Sequence, residues 1–311
     1  MQRPFKIALV GYGKIAKDQH IPSIEANADF ELVCVVSQSV LNAEVPVFQT
    51  LNDAFESDVE IDAVILCTPP SVRVELALLA FQNGCAVMLE KPPAISVALT
   101  KEIASFANEY EQVVFATWHS RYAAMVEEAA GWLKSHKMKC ARIIWHESVH
   151  KWHPGQTWLW EKGAFGVFDM GINALSILTY INPADYRVTS AHFEIPENRN
   201  APVAVQMQLE SEPGVFVDIS LDFLAGDDEV WTIEIETDDG HRANLFDGGA
   251  GFVNSAGTSR SFANQEYQRL YERFSQLLTN GARDLDVQPL EIVEQAFQQA
   301  THHLVANLDF D

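Results

Sequence analysis

The chain has 311 residues, 48% of them hydrophobic and 21% charged, with a formal net charge of −22. That balance describes a soluble globular protein of two ordinary domains or one large one, and the charge argues against nucleic acid or an anionic membrane surface as a partner. Cys34, Cys67, Cys85 and Cys140 are widely spaced with no C-x-x-C, as expected of small buried hydrophobes in a reducing compartment; no signal-like or spanning segment is read, and the cytoplasm is the expected location.

Lys6-Ile7-Ala8-Leu9-Val10 reads as a short buried strand that runs into Gly11-Tyr12-Gly13-Lys14-Ile15-Ala16. A G-x-G-x-x-A between a strand and a helix is a dinucleotide-binding pattern: Gly11 allows the tight turn, Gly13 lets a pyrophosphate approach the backbone, and Ala16 lets the helix pack on the strand. The second strand spans 30–37. It ends in Val36-Ser37-Gln38, without the acid that bonds the adenosine ribose and excludes a 2′-phosphate. NAD and NADP therefore both remain open.

A short strand at 45–48 and a helix at 51–56 come next. Ala63–Thr68 is a strand ended by Pro69-Pro70, and Ser71 is placed to cap the following helix, whose apolar stripe carries Val74, Leu76, Ala77, Leu78 and Phe81. Ala86-Val87-Met88-Leu89 is a buried strand that delivers Glu90-Lys91 against Pro92-Pro93. Proline cannot continue the ladder, so the lysine is held at the carboxyl end of a strand, where open α/β sheets bind ligands. A solvated ion pair capping the strand is the plainer alternative. A helix at 96–109 and a strand at 113–117 complete an alternation that argues for a doubly wound parallel sheet.

The pattern then changes. A helix at 123–134, a strand at 140–149, a Trp- and Gly-rich loop at 152–160 and a helix at 167–179 precede candidate strands at 186–195, 203–210, 215–224, 229–237 and 241–247. Hairpin signals such as Glu212-Pro213-Gly214 and Asp238-Asp239-Gly240 point to an antiparallel sheet. Helices at 263–280 and 288–307 close the chain.

Gly11-x-Gly13-x-x-Ala16-x-x-x-His20-x-Pro22, Thr68-Pro69-Pro70, Glu90-Lys91-Pro92 and Gly163-Ala164-Phe165-Gly166-Val167-Phe168-Asp169-Met170-Gly171-Ile172-Asn173 occur in order along the chain. Together they resemble the Gfo/Idh/MocA oxidoreductases, over essentially the whole length. Ala116–Arg121 and Trp152–Gln156 look most like the bacterial L-arabinose and D-galactose 1-dehydrogenases of that family. The resemblance implies an α/β fold: an N-terminal Rossmann domain (1–121), then an α/β domain with an open, mostly antiparallel sheet (122–311) that binds substrate and forms homo-oligomers. It also implies NAD- or NADP-dependent oxidation of an aldose to the aldonolactone. Two positions depart from the family pattern, Asn173 and Arg73, each commonly histidine. A regulator that binds the dinucleotide without turnover, and a related sugar or inositol dehydrogenase, are the alternatives.

On this reading the cofactor is held by Gly11, Gly13, Lys14, Ile15, Ser37, Gln38, Cys67, Thr68, Pro69, Glu90 and Lys91. Lys91 stabilises the developing alkoxide as a cation. Asp169 accepts the proton and Asn173, four residues on along one helix, orients the hydroxyl. His119, Glu147 and His153 are expected to bond sugar hydroxyls, and Trp152 and Trp231 to offer flat rings to the sugar's apolar C–H face. His146, Glu147, His150 and His153 raise the question of a metal, with His146 and His150 on one strand face. They complete no recognisable zinc spacing, and no metal is expected.

Overall fold

The fold is described from a computed structural model covering residues 3–39, 43–212, 214–257 and 259–309. By Cα proximity the chain divides into two units. One holds the chain up to His119 together with Glu266–Val287, the other Ser120–Gln265 with the chain from Gln288 on.

The first unit contains β1 (Phe5–Val10), β2 (Phe30–Val36), β3 (Val47–Phe48), β4 (Ala63–Leu66), β5 (Ala86–Glu90) and β6 (Val114–Thr117). They form one parallel sheet in the order β3-β2-β1-β4-β5-β6. This is the Rossmann order, whose switch point lies between β1 and β4. The continuous apolar runs of β4 and β5 are buried at every position, as a sheet covered on both faces requires.

The connecting helices are α1 (Ile21–Glu25), α2 (Leu51–Phe55), α3 (Arg73–Gln82) and α4 (Val97–Glu109). Ser96 caps α4 through its side chain. Ser71 does not cap α3: it lies inside a 3-10 turn, Pro70–Val72, and α3 starts without a side-chain cap. Proline at the head of that turn suits a first helical turn without an N–H to donate, so the chain winds before Ser71 can serve as a cap.

The second unit opens with α5 (Val126–Leu133), β7 (Met138–His146), α6 (Val149–Trp152) and α7 (Phe168–Ile181). It continues with β8 (Tyr186–Pro196), β9 (Ala204–Ser211), β10 (Val215–Asp222), β11 (Val230–Thr237), β12 (Arg242–Phe246), β13 (Gly251–Asn254) and β14 (Ser259–Ser261). Helix α8 (Glu266–Asn280) belongs to the first unit, and α9 (Gln288–Gln299) and β15 (Thr301–Val305) to the second. Nine strands form its sheet in the order β14-β13-β12-β11-β7-β10-β9-β8-β15. Most pairs are antiparallel, but β7–β10 and β8–β15 are parallel.

Two expectations change here. The helix expected over 288–307 ends at Gln299, and 301–305 form an exposed edge strand. The strand expected over 140–149 spans Met138–His146, and His150 lies in α6, so His146 and His150 do not share a strand face. The Glu212-Pro213-Gly214 turn involves Pro213, outside the described residues, while Asp238-Asp239-Gly240 does form the turn between β11 and β12. Among the described residues, no helix is long and apolar enough to cross a membrane.

Candidate active site

In the first unit the carboxyl ends of β1, β4 and β5 carry the sequence motifs. Gly11 has φ of +90°, and a Cβ there would lie 2.9 Å from the backbone of Cys67 and Thr68, so only glycine allows this approach of β1 to β4. At Gly13 a Cβ would meet nothing within 4 Å, which leaves its backbone open to a ligand. The Thr68 hydroxyl is buried and, among the described residues, has no hydrogen-bond partner. An open glycine turn and an orphaned hydroxyl at the switch point fit a dinucleotide, whose phosphates and ribose bring acceptors and hydroxyls. Lys14 pairs with Asp18 one turn on, and Ile15 is half-buried. Ser37 is half-buried, its N–H donating to Phe48 O at 2.9 Å, and Gln38 is exposed.

Lys91 follows β5 and is half-buried; the Lys91–Pro92 peptide is cis. Glu90 is not a solvated partner for it. It is 4% exposed, and its carboxylate bonds His20 Nε2 at 2.9 Å, the Tyr267 hydroxyl at 2.7 Å and the Lys91 backbone N–H at 3.0 Å. His20 Nδ1 in turn meets the Tyr271 hydroxyl at 2.9 Å. Burial alone would raise the Glu90 pKa, but hydrogen bonding and charge from His20, with further help from His119 and Tyr267, bring it down to about 2. Burial favours neutral His20, yet Cys67, Tyr271 and Glu90 raise its pKa well above the ordinary imidazole value. The pair is a buried carboxylate–imidazolium, tolerable because each charge is partnered.

Arg73 is the second unexpected element. Its guanidinium donates to the carbonyls of Thr68, Glu90 and Pro92, tying the end of β4 to both sides of Lys91. His119 Nδ1 meets Glu266 at 2.5 Å, and its ring stacks on Tyr267. Sequence reading quoted His20 and Arg73 without giving them a role, and missed Tyr267 and Tyr271. The available signal was a tyrosine pair four apart on an amphipathic helix, but nothing local says that it closes over a strand 177 residues away in sequence.

In the second unit Asp169 lies in the first turn of α7, 5% exposed, and Asn173 is half-buried one turn on. Gly166, with φ of +53°, precedes them; a Cβ there would sit 2.3 Å from Pro202 O, so glycine alone lets the chain turn into α7 here. Beyond β7 the structure joins Glu147 and His153 at 3.3 Å, and Trp231 Nε1 donates to Glu147 at 3.2 Å. The Trp152 and Trp231 rings meet edge to face, with centroids 6.1 Å apart. Trp152 is 42% exposed, whereas Trp145 and Trp160 are buried in the packing. His146 points elsewhere, to Ser220 Oγ at 2.7 Å. One carboxylate and one imidazole beside a partly exposed aromatic pair can bond hydroxyls and stack a sugar face.

The comparisons agree with this architecture. Residues 5–117 match the model of the Gfo/Idh/MocA oxidoreductase family, described as an NAD-binding Rossmann fold. The chain is 36% identical over 296 residues, 95% of either protein, to a galactose 1-dehydrogenase of Pseudomonas fluorescens. It superposes on the crystal structure of a D-galactose-1-dehydrogenase from Rhizobium etli with a TM-score of 0.94 and 39% identity over 99% of both chains. A 3-ketoreductase from Actinomadura kijaniata, solved with NADP and TDP-benzene, shares the fold at a TM-score of 0.81 and 16% identity, over 97% of this chain and 99% of that one. The Gly11–Ala16 turn and the relatives matched over nearly the whole chain agree: the chain belongs to the Gfo/Idh/MocA family of NAD-binding oxidoreductases.

Proposed function

We propose that the protein oxidises C1 of a galactose-configured aldopyranose, D-galactose or L-arabinose, to the aldonolactone, using NAD or NADP. The observation that carries this reading is the full-length relationship to a galactose 1-dehydrogenase. The bound dinucleotide supplies the hydride acceptor for the C1 hydrogen. The chain's own task is the hydroxyl proton and the geometry. Lys91, as a cation, lowers the energy of the developing alkoxide; Asp169 takes the proton and Asn173 orients the hydroxyl. Glu147, His153 and His119 bond sugar hydroxyls, and Trp152 and Trp231 take the C–H face. Residues 1–121 serve the dinucleotide, with α8 packed on the same unit, and the rest of 122–311 serves the sugar, in a cytoplasmic homo-oligomer formed through the second sheet. Because no acid follows β2 and Ser37 and Gln38 stand there instead, both cofactors are used with only a modest preference.

The two sugars share configuration from C1 to C4 and differ at the C5 substituent, whereas D-glucose inverts C4. A site bonded to the axial C4 hydroxyl leaves a buried polar group unpaired with glucose, so kcat/KM should favour galactose and arabinose by about 10- to 100-fold. Steady-state kinetics on a panel of aldoses and inositol, with each cofactor in turn, test this. Preference for glucose or xylose overturns the sugar assignment. Reduction of cofactor by inositol alone overturns C1 chemistry. Dinucleotide binding without turnover on any of them favours the regulator reading, to which Asn173 in place of histidine is the one pointer.

A further inference from the structure

Away from these residues, the second unit brings His136, Asp239 and His241 together, one potential ligand atom from each lying within 4.8 Å of the others. His136 Nδ1 is 2.9 Å from Asp239 Oδ2, and His241 Nε2 is 3.9 Å from the same oxygen. The three come from two stretches, the loop before β7 and the β11–β12 hairpin. Backbone bonds hold those stretches together: Asp238 N–H donates to Lys137 O at 3.0 Å, and Gly240 N–H closes the turn onto Thr237 O at 3.0 Å.

Each ligand is also oriented from behind. Thr237, 1% exposed, donates its hydroxyl to Asp239 Oδ1, while Oδ2 is the oxygen that meets the histidines. His241 Nδ1 bonds Ser255 Oγ at 2.9 Å, which leaves Nε2 facing the cluster. The ring of His136 lies against Trp132, centroids 4.7 Å apart. His241 thus has its second nitrogen engaged, as metal-binding histidines characteristically do, which fixes its tautomer and ring orientation.

We propose that His136, Asp239 and His241 form a binding site for a divalent transition-metal ion of the zinc type, which clamps the β11–β12 hairpin to the start of β7. Two imidazoles and one carboxylate suit zinc, nickel or copper rather than the oxygen-seeking magnesium or calcium. Tetrahedral bonds of about 2.0–2.1 Å place ligand atoms about 3.3 Å apart. The 2.9 Å and 3.9 Å separations reach that value with movements of roughly half an ångström on either side of it. The ion takes the place of the proton now shared between His136 Nδ1 and Asp239 Oδ2, and water fills the fourth position. With Asp239 and His241 about half-exposed, the role is structural, and it is independent of the proposed sugar oxidation.

The test uses the full-length protein freed of metal by chelation and dialysis. Zn²⁺ titration by calorimetry should show one equivalent bound and a higher melting temperature, as for any ion that binds only the folded state. Co²⁺ should give a tetrahedral visible spectrum and quench part of the tryptophan emission, a quench reduced in Trp132→Phe while binding persists. His241→Ala and Asp239→Asn should each weaken binding at least about tenfold, and Ser255→Ala by roughly as much through loss of orientation. All three positions are exposed, so the variants fold. No Zn²⁺ uptake below millimolar, or uptake unchanged in His241→Ala and Asp239→Asn because the ion sits at other histidines, overturns the assignment.

Discussion

Glu90 is the residue on which the cofactor end of the protein turns. At 4% exposure it would be protonated in an apolar site, yet His20 and Tyr267 hold it as a carboxylate with a pKa of about 2, against an ordinary value of 4.5. A folded-state pKa below the unfolded one stabilises the protein above the unfolded value, and here that contribution, about 3 kcal/mol, is lost as pH falls from about 4.5 towards 2. His20 runs the other way. Its raised pKa contributes stability that is complete below the unfolded imidazole value, near 6.5, and fades as pH climbs through the raised folded value. The pair therefore stabilises most between about pH 4.5 and 6.5. Glu90→Gln should cost about 3–5 kcal/mol in that window, because it strands a buried imidazolium, and the deficit should shrink towards either end. Urea unfolding of both proteins across pH measures it; equal stability with equal acid dependence would remove the ion pair from the account. Lys91, fixed next to this carboxylate, is the complementary case. Lys91→Ala should leave dinucleotide affinity largely intact and lower kcat by at least about 10²-fold, the scale for losing a preorganised charge at a developing oxyanion. Near-normal turnover would refute its role.

At the scale of elements, what the sequence revealed depended on whether the signal was local. β1, β4, β5 and β6 announce themselves as short apolar runs, the first three with Gly or Pro close by, because strands buried on both faces need no alternation. The Glu90-Lys91-Pro92 turn was legible for the same reason: two prolines must end the ladder where they stand. β15 was not, since Thr301–Val305 is an exposed edge strand with no buried face to impose a period, and it reads as a continuation of α9. β14 is three exposed residues and β13 only four, too short for a pattern. The parallel pairing of β7 with β10 is also invisible, because two runs 70-odd positions apart carry no turn that records their direction. The same limit hid the partners of the site. Arg73 stands out in the sequence only as a departure from the family pattern, and only the fold brings the carbonyls of Thr68, Glu90 and Pro92 to its guanidinium.

At the scale of the whole molecule, the first unit is discontinuous. The nucleotide-binding motifs all lie before His119, but α8 packs onto the same unit from 266 onward. Its buried face carries Tyr267, Leu270, Tyr271, Phe274 and Leu277. Phe274 stacks between Phe30 and Phe115, at 5.9 and 6.1 Å, and Tyr271 meets Phe30 edge to face. The chain after α8 then extends the sheet, Asp284 exchanging backbone bonds of 2.9 Å with Val114 and Ala116 along the β6 edge. Five buried side chains at about 2 kcal/mol each amount to roughly 10 kcal/mol, the same order as the net stability of a whole domain. A fragment ending at residue 121 would also expose the β6 edge and leave Glu90 and His20 without their tyrosines. Such a fragment should therefore be at best a loosely packed state that binds dye and lacks a cooperative melt. Joining residues 266–287 to it through a flexible linker should restore cooperative unfolding and dinucleotide binding. Circular dichroism melts of the two fragments decide the matter: a fragment 1–121 that melts cooperatively by itself would show that α8 is an ornament on the nucleotide-binding unit rather than part of its core.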